Sequence, residues 1–207
     1  MGVTGLIFFG YVAGHLAGNL KVYLGAEHFN AYAEFLREVG APALGHSWFL
    51  WAFRSVILVA LLLHVTAAIQ LWLQARSARP TNYQRPVHLE DSYVSRTMRL
   101  GGVVILIFVV YHLMNLTWGT AHSDFVPGDA YHNLVSAFQS LGVSAAYIVA
   151  VTVVGLHLYH GIWSSLQTLG VNQDHHNRWR RLSAAIAIAI VLGNISIPVS
   201  VLTGFVQ

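Results

Sequence analysis

The stretch Val56-Ile57-Leu58-Val59-Ala60-Leu61-Leu62-Leu63-His64-Val65-Thr66-Ala67-Ala68-Ile69 decides how this chain is read. It is apolar on every side, yet it holds a histidine at its centre. An ionisable side chain at membrane depth is costly and is functional by default. Working outward, the same combination recurs. His15, His112 and His157 also sit inside long apolar runs. One histidine can bond between helices. Four, one in each of four runs, point to two pairs of axial ligands and so to two haems stacked across a bilayer.

A membrane-spanning helix needs about 20 apolar residues. Five windows qualify, at about 2–20, 49–75, 98–118, 143–170 and 182–204. They take up most of the 207 residues, 56% of which are hydrophobic and only 9% charged. The expectation is all-α: a single transmembrane domain over 1–207, an integral membrane bundle of five helices. The chain starts in an apolar run with no basic stretch before it, which reads as a retained span rather than a signal peptide. There is no cysteine. That excludes disulfides, thiolate-held iron–sulfur clusters and thioether-linked haem, so any haem is b-type and non-covalent.

Charge orients the bundle. The second loop holds Arg76, Arg79, Arg85 and Arg96, with Arg99 just inside the next span, and the fourth loop holds Arg178, Arg180 and Arg181. The third loop has Asp124 and Asp129 and no Lys or Arg. By the positive-inside rule the N-terminus is inside and the C-terminus outside. The basic residues read as topology determinants, not as a nucleic-acid face. Trp48, Trp51 and Trp118 fit an outer aromatic belt or ordinary packing. The stretches 26–37 and 130–139 read as short helices in the two outer connections.

Depth sorts the histidines. At about 1.5 Å per residue, His15 and His112 lie roughly 8–9 Å from the outer end, and His64 and His157 roughly 20 Å. Matched depth pairs His15 with His112 and His64 with His157. His160, three residues after His157, shares its face and is a rival ligand. Gly10, Gly14 and Gly18 form a small-residue stripe around His15, and Gly155 and Gly161 bracket His157. Such stripes serve either helix packing or the close approach of a porphyrin edge. Haem propionates need donors near a membrane face. Tyr93, Arg96 and Arg99 are placed for an inner haem, and Lys21, His122 or His132 for an outer one. The remaining loop histidines, His175 and His176 included, read as solvated.

Gly14-His15-Leu16-Ala17-Gly18-Asn19-Leu20, Ser95-Arg96-Thr97-Met98-Arg99, Tyr111-His112-Leu113 and the run from Leu156-His157-Leu158-Tyr159-His160-Gly161 to Gly170 resemble the di-haem cytochrome b membrane anchor of the bacterial succinate dehydrogenase and fumarate reductase (complex II) family. The resemblance implies His15 and His112 on the distal haem and His64 and His157 on the proximal one, which favours His157 over His160. It implies a flavoprotein with covalent FAD and an iron–sulfur subunit docked on the cytoplasmic face of a bacterial inner membrane. Electrons from succinate would then reach a quinone, menaquinone in this branch. Glu34 and Glu38, in the loop after the outer-haem helix, offer protons to a quinone there or are a solvated face. Where one fumarate-reductase branch has an acid two positions before the fourth ligand, this chain has Gly155. Three rival expectations stand beside this one: the same subunit run as quinol:fumarate reductase, a stand-alone transmembrane cytochrome b, and a haem-free anchor whose histidines bond between helices.

Overall fold

The computed structural model describes residues 1–78, 91–170 and 176–207; of 91–97 and 176–177 it describes the backbone alone. Among the described residues the fold has seven α-helices, one 3-10 helix and no strand. The helices are α1 Gly2–Asn19, α2 Ala26–Glu38, α3 Trp48–Ser77, α4 Asp91–Leu116, α5 Ala130–Gln139, α6 Leu141–Thr168 and α7 His176–Leu202. The 3-10 turn Leu20–Leu24 prolongs α1. Five of these elements are long and apolar enough to cross a membrane: Gly2–Leu24, Trp48–Ser77, Met98–Leu116, Leu141–Thr168 and Arg178–Leu202. These are the five spans expected from hydropathy. The fourth helix begins at Asp91, seven residues before its apolar part, and ends at Leu116 rather than 118.

α2 and α5 cover one end of the bundle. Gly25, with φ +89°, makes the turn that folds α2 back against the 3-10 segment, a conformation that favours glycine. α5 is capped by Asp129, whose carboxylate accepts from the His132 N–H at 2.9 Å. The two short helices are tied together: the Asn30 amide donates to Asp129, and the Tyr131 N–H donates to Asn30 Oδ1, both at 2.9 Å. Tyr131 Oη donates to the Gln207 carbonyl at 3.0 Å, so the last residue lies at this end too. An apolar core beneath joins Val22, Phe29, Leu134, Val135, Phe138, Tyr147, Ile197 and Val201.

Towards the other end, Leu158, Ile162, Ala187 and Ile190 pack with Phe9, Val12 and Leu16. This gathers α1, α6 and α7 into a tight unit. α4 packs along α6, and α3 packs on α1 and α2. Neither α1 with α4 nor α3 with α6 is among the closely packed helix pairs. Along α3 the apolar side chains face outward: Leu58, Leu62, Leu63 and Leu71 are all more than half exposed. In a bilayer that surface meets lipid tails, so its exposure costs nothing. The arginine-rich end is the one opposite α2 and α5, where Arg76 and Arg99 lie 5.4 and 5.9 Å from the Trp72 ring centre. Arg79 and Arg85 lie outside the described residues.

Candidate haem-binding centre

Thr4, Phe8, Tyr11 and His15 recur at spacings of four, three and four residues, so they share one face of α1. That face meets histidines at two levels. At the first, Thr4 Oγ1 lies 3.0 Å from His64 Nδ1, and the Phe8 ring meets His64 edge-on at 5.6 Å. His64 in turn faces His157 of α6, ring centres 6.2 Å apart. At the second, Tyr11 stacks on His15 at 5.5 Å, and His15 faces His112 of α4 at 5.8 Å. His15, His64, His112 and His157 are thus brought together in the two pairs that depth counting gave.

The distance between levels can be measured along two helices independently. His15 is eleven residues beyond Thr4 on α1, or about 16 Å. On α6, Tyr147 touches His112 at 3.3 Å and His157 lies ten residues further, or about 15 Å. The two rulers agree. Two levels about 15 Å apart divide a hydrocarbon layer about 30 Å thick.

The arrangement fits a metal held between two imidazoles. An imidazole nitrogen binds a transition metal at about 2 Å, so two rings on opposite sides of one ion have centres about 6 Å apart. The observed 5.8 and 6.2 Å agree. The backbones of α1 and α4, and of α3 and α6, stand apart, and the histidines reach across the gap. His157 Nδ1 is buried with no hydrogen-bond partner among the described residues. Beside the pairs there is room: a Cβ built on Gly10, Gly14 or Gly161 would meet nothing within 4 Å, and His15 itself is exposed to the space next to it. The residues present fit a flat macrocycle at each level.

Two other glycines have different work. A Cβ on Gly18 would come 2.8 Å from the Tyr32 ring, so Gly18 lets α2 lie against α1. Gly155 is turned to α7, where a Cβ would collide with Val191. Only Gly161 of the His157 bracket faces free space.

His160 lies against Trp163, at 6.2 Å, while His157 faces His64. Lys21 lies 5.1 Å from the centre of the Tyr32 ring, at the α2/α5 end. Arg99 flanks Trp72 at the arginine-rich end. The side chains of Tyr93 and Arg96 lie outside the described residues. Glu34 pairs with Arg37 at 3.0 Å on the exposed face of α2, and Glu38 is exposed at its last turn.

The residues that pattern reading passed over are Thr4, Asn115 and Tyr147. Tyr147 Oη donates to Asn115 Oδ1 at 3.2 Å, and Asn115, only 1% exposed, donates to the Ala121 carbonyl at 3.2 Å. His122 bridges the Asn115 carbonyl and Ser136 Oγ, at 3.3 and 3.0 Å. A polar chain therefore leads from His112 to the loop before α5. Its sequence signal was an asparagine in an apolar run three residues after a histidine, and so on the same helix face.

A family profile described as succinate dehydrogenase/fumarate reductase transmembrane subunit matches residues 74–195. The chain belongs to that family. The match takes in His112 and His157 and stops short of His15 and His64. No curated protein and no solved structure matches the chain. Family membership makes it the membrane part of a complex whose other subunits, in general, are a flavoprotein and an iron–sulfur protein.

Proposed function

We propose that this chain is the electron-carrying anchor of a succinate:quinone oxidoreductase, holding two b haems through His15 with His112 and His64 with His157. The observation that carries the reading is the pair of facing histidines at each of two levels, about 15 Å apart along both α1 and α6. When bound, haems at those levels would supply one-electron centres between the iron–sulfur subunit at the arginine-rich end and a quinone. Held by two histidines each, such haems would serve electron transfer rather than oxygen chemistry.

The protein's own contribution is spacing and insulation. α3 is held off α6 and α4 off α1, with His64 and His157 meeting across one gap and His15 and His112 across the other. Phe8, Tyr11 and Phe108 pack their rings against those imidazoles. Arg99 and Arg76 at one end, with Arg96 nearby in sequence, offer cations for propionates and for a docked soluble subunit; Lys21 offers one at the other end. The excess of arginine in the second and fourth loops supports a cytoplasmic docking face, with the N-terminus inside and the C-terminus outside. Menaquinone as acceptor, and a bacterial inner membrane as location, rest on the motif resemblance. Glu34 is engaged by Arg37 in the structure, so quinone protonation by Glu34 would require that pair to open.

Pyridine haemochrome analysis of the detergent-purified complex, with electron paramagnetic resonance of its oxidised form, tests the reading. Two haems b per chain with low-spin bis-histidine signals are expected. One haem, or none, in an intact complex overturns it.

A further inference from the structure

Two hydroxyl groups meet histidines at Nδ1, and each has a second acceptor for its own proton. Thr4 Oγ1 has the Met1 carbonyl at 2.9 Å as an acceptor for its proton. With the proton there, the same oxygen, 3.0 Å from His64 Nδ1, accepts from a ring N–H. Tyr147 repeats the logic at the second level. Its proton goes to Asn115 Oδ1 at 3.2 Å, and its oxygen lies 3.3 Å from His112 Nδ1. Asn115 is held in turn by the Ala121 carbonyl, so the acceptor that takes the tyrosine proton does not swing away.

With its proton so placed, each hydroxyl is free to receive a ring N–H at Nδ1. A neutral imidazole with its hydrogen on Nδ1 carries its lone pair on Nε2. An accepted hydrogen bond at the far nitrogen also fixes the ring's rotation and raises its basicity as a ligand. The partners across the gap differ. Nδ1 of His157 is buried without a hydrogen-bond acceptor among the described residues.

We propose that Thr4 and Tyr147 are positioning residues, each holding one histidine of a facing pair by Nδ1 so that Nε2 is the metal-ligating atom. The inference rests on the two-haem reading and adds to it a specific asymmetry. At the His64–His157 level the better donor is His64; at the His15–His112 level it is His112 where Tyr147 sets the ring. A more basic ligand favours the ferric state, so each hydroxyl lowers the potential of its own haem.

The test uses the intact complex carrying Thr4→Val or Tyr147→Phe. Both replacements keep nearly the shape of the original side chain. The Phe ring would keep the packing of Tyr147 against Phe108 and Phe138, whose ring centres lie 5.1 and 4.9 Å away. Haem content, potentiometric titration and low-temperature resonance spectra are recorded for each. Expected is two haems per chain in both, with Thr4→Val raising the midpoint of the His64–His157 haem alone and Tyr147→Phe raising that of the His15–His112 haem alone. Loss of only the matching haem supports the same assignment. Two haems with unmoved potentials and spectra overturn the inference and leave the two-haem reading intact. A wild-type complex lacking bis-histidine haem overturns both. If one variant does not assemble, the other still decides, because each acts on a different level.

Discussion

Gly155 of α6 points its α-hydrogen at the Val191 side chain of α7, and no Cβ fits between them. This contact sets how closely α6 and α7 run, and α6 carries His157 two residues further on. It also explains why an acid cannot stand at that position here: a carboxylate would be driven into α7, not towards the histidines. Gly155→Ala is expected to destabilise the bundle by about 1–3 kcal/mol through overpacking. Thermal unfolding of the detergent-solubilised complex measures it. An unchanged midpoint would show that α7 yields without cost.

Gly14 and Gly161 should behave oppositely. Both face space that a methyl group would not fill. Alanine at either is expected to leave stability within about 0.5 kcal/mol, as surface substitutions do. Leucine at either is expected to close the slot beside one histidine pair. Gly14→Leu should lower haem content from two to one by loss at the His15 level, and Gly161→Leu by loss at the His157 level. Retention of both haems in both leucine variants would mean that this space belongs to lipid.

Much of the bundle was legible because hydropathy is local. A run such as Val56 to Ile69 declares a span whatever its neighbours do, and five such runs became five helices. The pairing of histidines was legible too, since depth follows from counting residues along a helix of fixed rise. What counting could not separate was Gly14 from Gly18. They lie one turn apart, and what distinguishes them is where α2 folds back to place Tyr32. The contacts of Thr4 with His64 and of Tyr147 with His112 join residues 60 and 35 positions apart. No local pattern encodes them.

Substitution of single ligands should follow the two levels. His15→Ala or His112→Ala is expected to remove one haem and leave the spectrum of the other unchanged. His64→Ala or His157→Ala should do the same for the other level. His160→Ala is expected to keep both, because His157 is the residue that faces His64. Difference spectra of the assembled complex check all five. A His160→Ala complex with one haem would transfer the ligand role to that residue.

At the α2/α5 end the structure predicts an acid sensitivity. Asp129 has a pKa below its ordinary value, first because the His132 N–H donates to it and next because the Asn30 amide does. A carboxylate whose folded pKa is depressed stabilises the fold above its unfolded pKa of about 3.9 and loses that contribution as pH falls through the lowered folded value. Asp129→Ala is expected to cost about 1 kcal/mol at neutral pH as a lost helix cap, and to flatten the acid limb of the stability curve. If wild type and variant lose stability in parallel below pH 4, Asp129 is not the group responsible.

The division of labour within the complex gives the last prediction. Oxidising a dicarboxylate needs clustered Arg and His donors beside a hydride acceptor. Here the cations are spent elsewhere. Arg76 and Arg99 lie over Trp72, and Arg180 Nε donates to Tyr159 Oη at 2.8 Å. His15 and His112, and His64 and His157, are turned to each other. The chain also has no cysteine with which to hold an iron–sulfur cluster. Purified alone, it is expected to retain haem yet show no succinate:dye activity, and to regain quinone-linked activity when the two soluble subunits are returned. Substituting Arg178 and Arg181 together by glutamine should weaken that reassembly without lowering haem content, since both side chains are exposed near the start of α7. Succinate oxidation that persists after both soluble subunits are removed would refute the assignment of dicarboxylate chemistry to them.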